Sequence, residues 1–247
     1  MTGLMSKATT NVTFLRGLFL VALGVLMKEG DFVEIDYLGM IKNTGDYFDV
    51  TNEEKAKELG LYQPDKKFGP VVVVVGAKHV IEGLDDILLE TEEGEERKIE
   101  IPAEKAFGKR DPKLITTVPL REFSKQGIMP RRGMSLDIGG SWATVKSVSS
   151  GRVTLDFNHS LASRDLVYEI KVLRKVDDAV EKLKALIDIN FNNFDHSKNK
   201  IEMDEEGNVK VTLSGLKKEI TEAIKEVLVR DSEKYVPEIK SIEVETS

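Results

Sequence analysis

The three histidines of this chain, His79, His159 and His196, lie far apart in sequence, and none has a second metal ligand at helical spacing. Cysteine is absent, which removes thiolate nucleophiles, disulfides and cysteine metal sites together. There is no Gly-x-Ser-x-Gly elbow, no Gly-rich phosphate loop ending in Lys-Ser/Thr and no His-Glu-x-x-His. The acidic pairs Asp85-Asp86 and Glu92-Glu93 read as helix-surface and turn charges. An enzyme built from these residues works without a metal, a cofactor or a covalent intermediate. Its chemistry must come from binding and desolvation.

The chain has 247 residues, 40% hydrophobic and 32% charged, a profile of two or three folded units rather than of a disordered or fibrous protein. Its net charge of −7 argues against a general attraction to nucleic acid. The charge is uneven: residues 28–108 carry −10, 109–165 carry +5 and 177–247 carry −6. Boundaries are therefore expected near 108, 165 and 176. The basic residues of the middle segment are scattered, with only Phe123, Trp142 and Phe157 as aromatics, so a solvated surface is expected there and not an RNA patch.

The first element expected to position a site is a strand over Asp31–Tyr37, with Val33, Ile35 and Tyr37 on one face. Val71 to Val75 is an unbroken β-branched run, expected to be covered on both sides. Arg97–Ile101 and Leu166–Val172 alternate in turn. Between them Val80, Ile81, Leu84, Ile87 and Leu88 recur at helical spacing. The pattern predicts an antiparallel sheet carrying one short helix, to which the 166–174 strand returns after a long excursion. Within the excursion, 133–138, 142–148 and 153–157 read as three short strands joined by Gly-rich turns, a small β unit inserted in the first. After Lys175 the texture changes. Val180, Leu183 and Ile187 mark a helix begun by Asp177-Asp178. A hairpin follows through Glu205–Asn208, then a helix capped by Ser214 with the stripe Leu216, Ile220, Ile224 and Val227, and a closing strand at Ile242–Val244. This α-β-β-α-β unit is small for a core of its own, so its spare apolar face is a candidate for docking or self-association.

Four motifs occur in order: Val33-Glu34-Ile35-Asp36-Tyr37-Leu38-Gly39, Tyr47-Phe48-Asp49, Gly76-Ala77-Lys78-His79-Val80-Ile81-Glu82-Gly83-Leu84 and Glu104-Lys105-Ala106-Phe107-Gly108. Together they resemble the FKBP-type peptidyl-prolyl cis-trans isomerases. Asn158-His159-x-Leu161-Ala162, just before the return strand, makes the excursion similar to the insert-in-flap domain of the SlyD-like subgroup. The resemblance covers about 28–176; the C-terminal 70 residues match no named family, although long archaeal members of this group carry an extra C-terminal region. It implies an α+β fold: a half-wrapped antiparallel sheet around a short helix (28–108 plus 165–176), an inserted β-rich domain (109–164) and a C-terminal α/β domain (177–247).

It also implies an apolar cup with Tyr37, Phe48, Asp49, Ile81, Phe107 and Tyr168 as catalytic residues, and Val80 and Leu84 as contacts to substrate. Ile81 N–H would hold the carbonyl after the prolyl ring, Phe48, Leu84 and Tyr168 the ring itself, and Asp49 would orient its neighbours. Periodicity alone would assign Val80, Ile81 and Leu84 to a core; the order and spacing of the whole set makes them a pocket. Two positions depart from the family pattern: Phe107 replaces the usual Tyr, and Leu84 the common Trp, which widens the cup. A short helix within 53–59 extends the segment before Phe68 beyond a minimal member. The implied activity is prolyl isomerisation with a chaperone function, the insert catching unfolded chain through Met129, Met134 and Leu136. The alternative is a holdase without catalysis. Partners are proline-containing peptides and unfolded polypeptides, with a homodimer through the C-terminal domain, no nucleic acid and no cofactor.

Residues 1–27 contain an uncharged run from Gly17 to Leu26, too short to span about 30 Å of hydrocarbon. It reads as an upstream extension ahead of Met27, with a signal or anchor as the alternative, although no clear cleavage site follows. A cytoplasmic protein is expected on the first reading and an exported or anchored one on the second.

Overall fold

A computed structural model describes residues 26–191 and 194–246; the N-terminal run discussed above lies outside the described residues except for Leu26, which bridges Glu92. The first sheet is built on β1 (Phe32–Ile41), with β2 (Tyr47–Val50), β3 (Val71–Val74), β4 (Glu96–Ile101) and β9 (Leu166–Val176). Its order is β2-β1-β9-β4, and β3 pairs with the first half of β1 while β2 pairs with the second. Every pairing is antiparallel. Alternation sends Val33, Ile35, Val73, Val75, Ile170 and Val172 into one core, where α2 (Glu82–Leu88) lays Leu84 and Leu88 on the sheet. Gly83 permits the close approach, since a Cβ there would lie 2.5 Å from Ile101 Cγ2. The helix begins later than the apolar spacing predicts. Val80 and Ile81 precede it, and Ile81 is its extended N-cap residue.

The other face of this sheet is not a solvated one. Phe32, Val74 and Val176 point away from the first core and are fully buried in a second core supplied by residues 179–244. That region has the expected order: α4 (Ala179–Asn190), the hairpin β10 (Lys200–Met203) and β11 (Asn208–Leu213), α5 (Lys218–Tyr235) and β12 (Ser241–Thr246) parallel to β11. Asp178 caps α4 by accepting from the Glu181 N–H at 2.8 Å. Ser214 does not cap α5, whose N-cap is Lys217; the chain needs Ser214 to Leu216 to turn from β11 toward the helix. Ile224 of the predicted stripe is fully buried, as is Leu228, one residue beyond the predicted Val227, while Ile220 is exposed.

Between β4 and β9 the chain forms a four-stranded sheet, β5-β8-β7-β6. Its strands are β5 (Ile115–Pro119), β6 (Ser135–Ile138), β7 (Ser141–Ser149) and β8 (Arg152–Asp156), and α3 (Leu120–Ser124) follows β5. β5 was not among the three predicted strands, because its Ile-Thr-Thr-Val-Pro pattern is mostly exposed. Phe123, Leu136, Val145, Val153 and Leu155 give this sheet a core of its own. A polar knot closes its neck: buried Asp156 meets Arg110 and accepts from Asn158 Nδ2 at 2.8 Å, and Ser163 N–H bonds Gly108 O at 2.7 Å. No described helix is long and apolar enough to cross a membrane.

Candidate prolyl-binding site

Between the concave side of the first sheet and the chain leading into α2 lies a hollow of about 370 Å³. Its walls are Tyr37 of β1, Tyr168 of β9, the Lys78–Ile81 stretch and, as floor, Leu84. The two tyrosine rings stand 5.8 Å apart, and Phe48 meets Tyr168 edge-on at 5.8 Å. Phe48 reaches this place because residue 39 is glycine: a Cβ there would be 2.7 Å from the ring.

Tyr37 is fixed at both ends. Its hydroxyl donates to Asp49 Oδ2 at 2.9 Å, and its backbone N–H donates to Thr51 Oγ1 at 2.9 Å. Asp49 is itself paired with Lys66 Nζ at 2.6 Å. Burial, reinforced by Asp49, pushes the hydroxyl pKa values of Tyr37 and Tyr168 above the ordinary tyrosine range, so both rings stay neutral.

The Lys78–Ile81 stretch is pinned from below. Asp85, 6% exposed, accepts the Gly76 N–H at 2.8 Å and the Lys78 N–H at 2.9 Å. Lys78 is held at φ 60°, a left-handed conformation that costs a non-glycine residue about 1–2 kcal/mol. The expectation that Asp85 and Asp86 are both surface charges is therefore half corrected. Asp86 pairs with Lys105 at the surface, whereas Asp85 lies beside Leu84 and Leu88 on the buried stripe of α2. That placement on the helical face was the available signal for it. His79, beside the hollow, meets Tyr235 of α5 edge-on at 6.4 Å, and its Nδ1 is buried without a partner. Burial lowers the His79 pKa, so the ring is neutral at pH 7.

Not every expected residue lines the hollow. Phe107 packs on the same core, but its ring is stacked 4.1 Å from that of His159, which turns it from the hollow toward the insert. Far from the hollow, Met129 and Met134 are exposed on the insert, Met129 at 81%. Leu136 is 7% exposed and belongs to the insert core, so it offers no surface to a client. Trp142 on β7 is also exposed, at 70%, as are Leu114, Ile115 and Val148 of the insert. Among the described residues, no group of three His, Asp or Glu side chains is placed to hold a metal ion.

Residues 25–119 match the family model of the FKBP-type peptidyl-prolyl cis-trans isomerases, and 116–161 match that of an FKBP26 IF domain. A short-type peptidyl-prolyl cis-trans isomerase of Methanocaldococcus jannaschii is 38% identical over 147 residues, 60% of this chain and 92% of that relative. The chain belongs to the FKBP-type peptidyl-prolyl cis-trans isomerase family. The SlyD of Helicobacter pylori, another FKBP-type isomerase, is 34% identical over 121 residues, 47% of this chain and 64% of that protein. The FKBP-type 16 kDa isomerase of Escherichia coli is 29% identical over 117 residues, 45% and 77% of the two chains. As an FKBP-type isomerase, this protein acts on proline-containing polypeptides. Residues 177–247 lie outside both matched segments.

Proposed function

We propose that the aromatic hollow is where this isomerase turns the X-Pro bond, and that the insert makes it a folding helper by holding unfolded chain. Rotation about an X-Pro amide destroys resonance and crosses a barrier of about 18–20 kcal/mol. A twisted amide has less charge separation than a planar one, so a dry site favours it relative to water. Tyr37, Phe48 and Tyr168 supply that dryness, with Val80 and Leu84 beneath the ring. The Ile81 N–H supports the reading most directly. It lies at the helix entry, lines the hollow and makes no hydrogen bond among the described residues, so it is free to take the carbonyl that follows proline. Asp49 holds the Tyr37 ring, and no step needs a proton donor of tuned pKa.

Met129, Met134 and Trp142 form the apolar surface that would catch clients, and tethering raises the local concentration of their prolines at the hollow. Residues 28–108 with 165–176, 109–164 and 177–247 act in this reading as isomerase, client-binding and C-terminal units. A homodimer through the C-terminal unit would use Ile220 and Val229, the apolar residues of α5 left exposed. A cytoplasmic site of action agrees with the lack of cysteine.

Deleting 110–163 tests the division of labour. Turnover of an X-Pro tetrapeptide should persist, while catalysed refolding of a proline-limited protein should fall by about 10²-fold. Equal losses on both substrates would contradict it.

A further inference from the structure

A second, larger cleft of about 770 Å³ adjoins the prolyl hollow. Tyr37, His79 and Val80 line both, so the two spaces meet at these three residues. One side of the cleft is β3 with the 63–70 segment ahead of it, and the other is α4 of the C-terminal region. β3 pairs with β1 alone and leaves its second edge without a strand. Val75, just past β3, bonds Asp31 O through its N–H and the Gly30 N–H through its carbonyl, both toward the β1 side. By strand alternation the backbone of Val72 therefore turns its N–H and C=O to the open edge, inside the cleft. Both faces of β3 are already covered, by Val73 in the first core and by Val72 and Val74 against the second, so the edge is the part left to a ligand. Opposite it, α4 presents Ala185 and Ile189 with Lys184, an exposed cation that has no ion-pair partner among the described residues.

We propose that this cleft binds the residues that follow the proline of the same client chain, as a strand added to the free edge of β3. The inference rests on the prolyl reading of the hollow and gives it a direction. A client whose post-prolyl carbonyl sits on Ile81 N–H continues over Val80 and His79, and those two residues are the entrance of the cleft. Edge pairing takes its strength from the backbone and accepts many sequences, which suits an isomerase of unfolded chains. The balance of charge around the cleft, with Arg174 engaged by Glu34 and Glu181 and Lys66 by Asp49, selects no strongly charged flank.

The full-length protein should be assayed by NMR exchange on three peptides: an X-Pro tetrapeptide, the same peptide with about six residues added after proline, and one with about six added before it. The post-prolyl extension should raise kcat/KM about tenfold and the pre-prolyl one should not. Val72→Pro removes the outward donor without touching the bonds to β1, whereas Val72→Ala loses similar packing and keeps the donor. The gain should shrink to about threefold or less in Val72→Pro and survive in Val72→Ala. Should Val72→Pro fail to fold, Lys184→Trp on the exposed wall of α4 decides by narrowing the cleft and cutting the same gain. Equal kcat/KM for the tetrapeptide and the post-prolyl extension would overturn the proposal. A gain seen only with the pre-prolyl extension, or one insensitive to Val72→Pro and Lys184→Trp alike, would do so too. Loss of turnover on every peptide would instead overturn the prolyl reading of the hollow, and this proposal with it.

Discussion

The insert and the C-terminal region are both additions to the same small isomerase sheet, and they are attached in opposite ways. The insert keeps its own core around Val145, Val153 and Leu155 and joins through a polar neck at Arg110, Asp156 and Asn158. The C-terminal region has no separate core; Leu183, Leu186 and Leu228 share theirs with Phe32, Val74 and Val176 of the sheet. The neck is polar apart from the Phe107–His159 stack, and Met129 and Trp142 stay exposed on the insert beyond it. A shared core makes the other addition part of the scaffold that holds His79 and the cleft beside it.

Truncation before Asp177 should separate the two most sharply. It strips the cover from three buried apolar side chains of the sheet, each worth about 1.5–3 kcal/mol, and should lower Tm by about 10 °C or more. Calorimetry showing an unchanged melt would remove the contrast. Next in size, Leu155→Ala and Leu228→Ala should each cost about 2–5 kcal/mol, but in different places. Hydrogen exchange should rise only in β5–β8 for the first, and in both α5 and β3 for the second; matching patterns would argue against separate cores. Met129→Glu with Trp142→Glu should change stability by no more than about 0.5 kcal/mol each while weakening capture of an unfolded protein, read as lost suppression of aggregation. Undiminished capture would move the client surface elsewhere.

The smallest expected effect concerns His79, which the C-terminal region keeps half-buried. Its lowered pKa means that its contribution to stability is complete above the unfolded value of about 6.5 and is lost as pH falls below it. Asp85 and Asp231 face it as anions and Arg230 and Lys234 as cations, and burial outweighs them. Between pH 7 and 5 the Tm of the wild type should fall more than that of His79→Phe. Parallel curves would show that the ring does not report on the junction.

Much of the scaffold was legible in the chain. Period-two alternation in 31–37, 97–101 and 166–172 identified the strands, because over those stretches one face of the sheet is buried more fully than the other. The motifs from Val33 to Gly108 contain Tyr37, Val80, Ile81 and Leu84, which line the hollow, while Tyr168 comes to it from the return strand. The start of α2 was misread because Val80 and Ile81 are apolar for a different reason, lining a space rather than filling a core. β5 was missed because an exposed edge strand carries little hydrophobic signal.

What the sequence determined by itself was local: which residues alternate, where Gly-rich turns break the strands of the insert, and which family the motifs resemble. Only the tertiary structure decided that Phe32 is buried on the outer face of β1, that Asp85 braces the loop into α2, that Phe107 turns to His159 and that α4 walls a cleft beside the prolyl hollow. Each of these depends on a partner distant in the chain. Periodicity records whether a side chain leaves water, but not which surface it meets when it does.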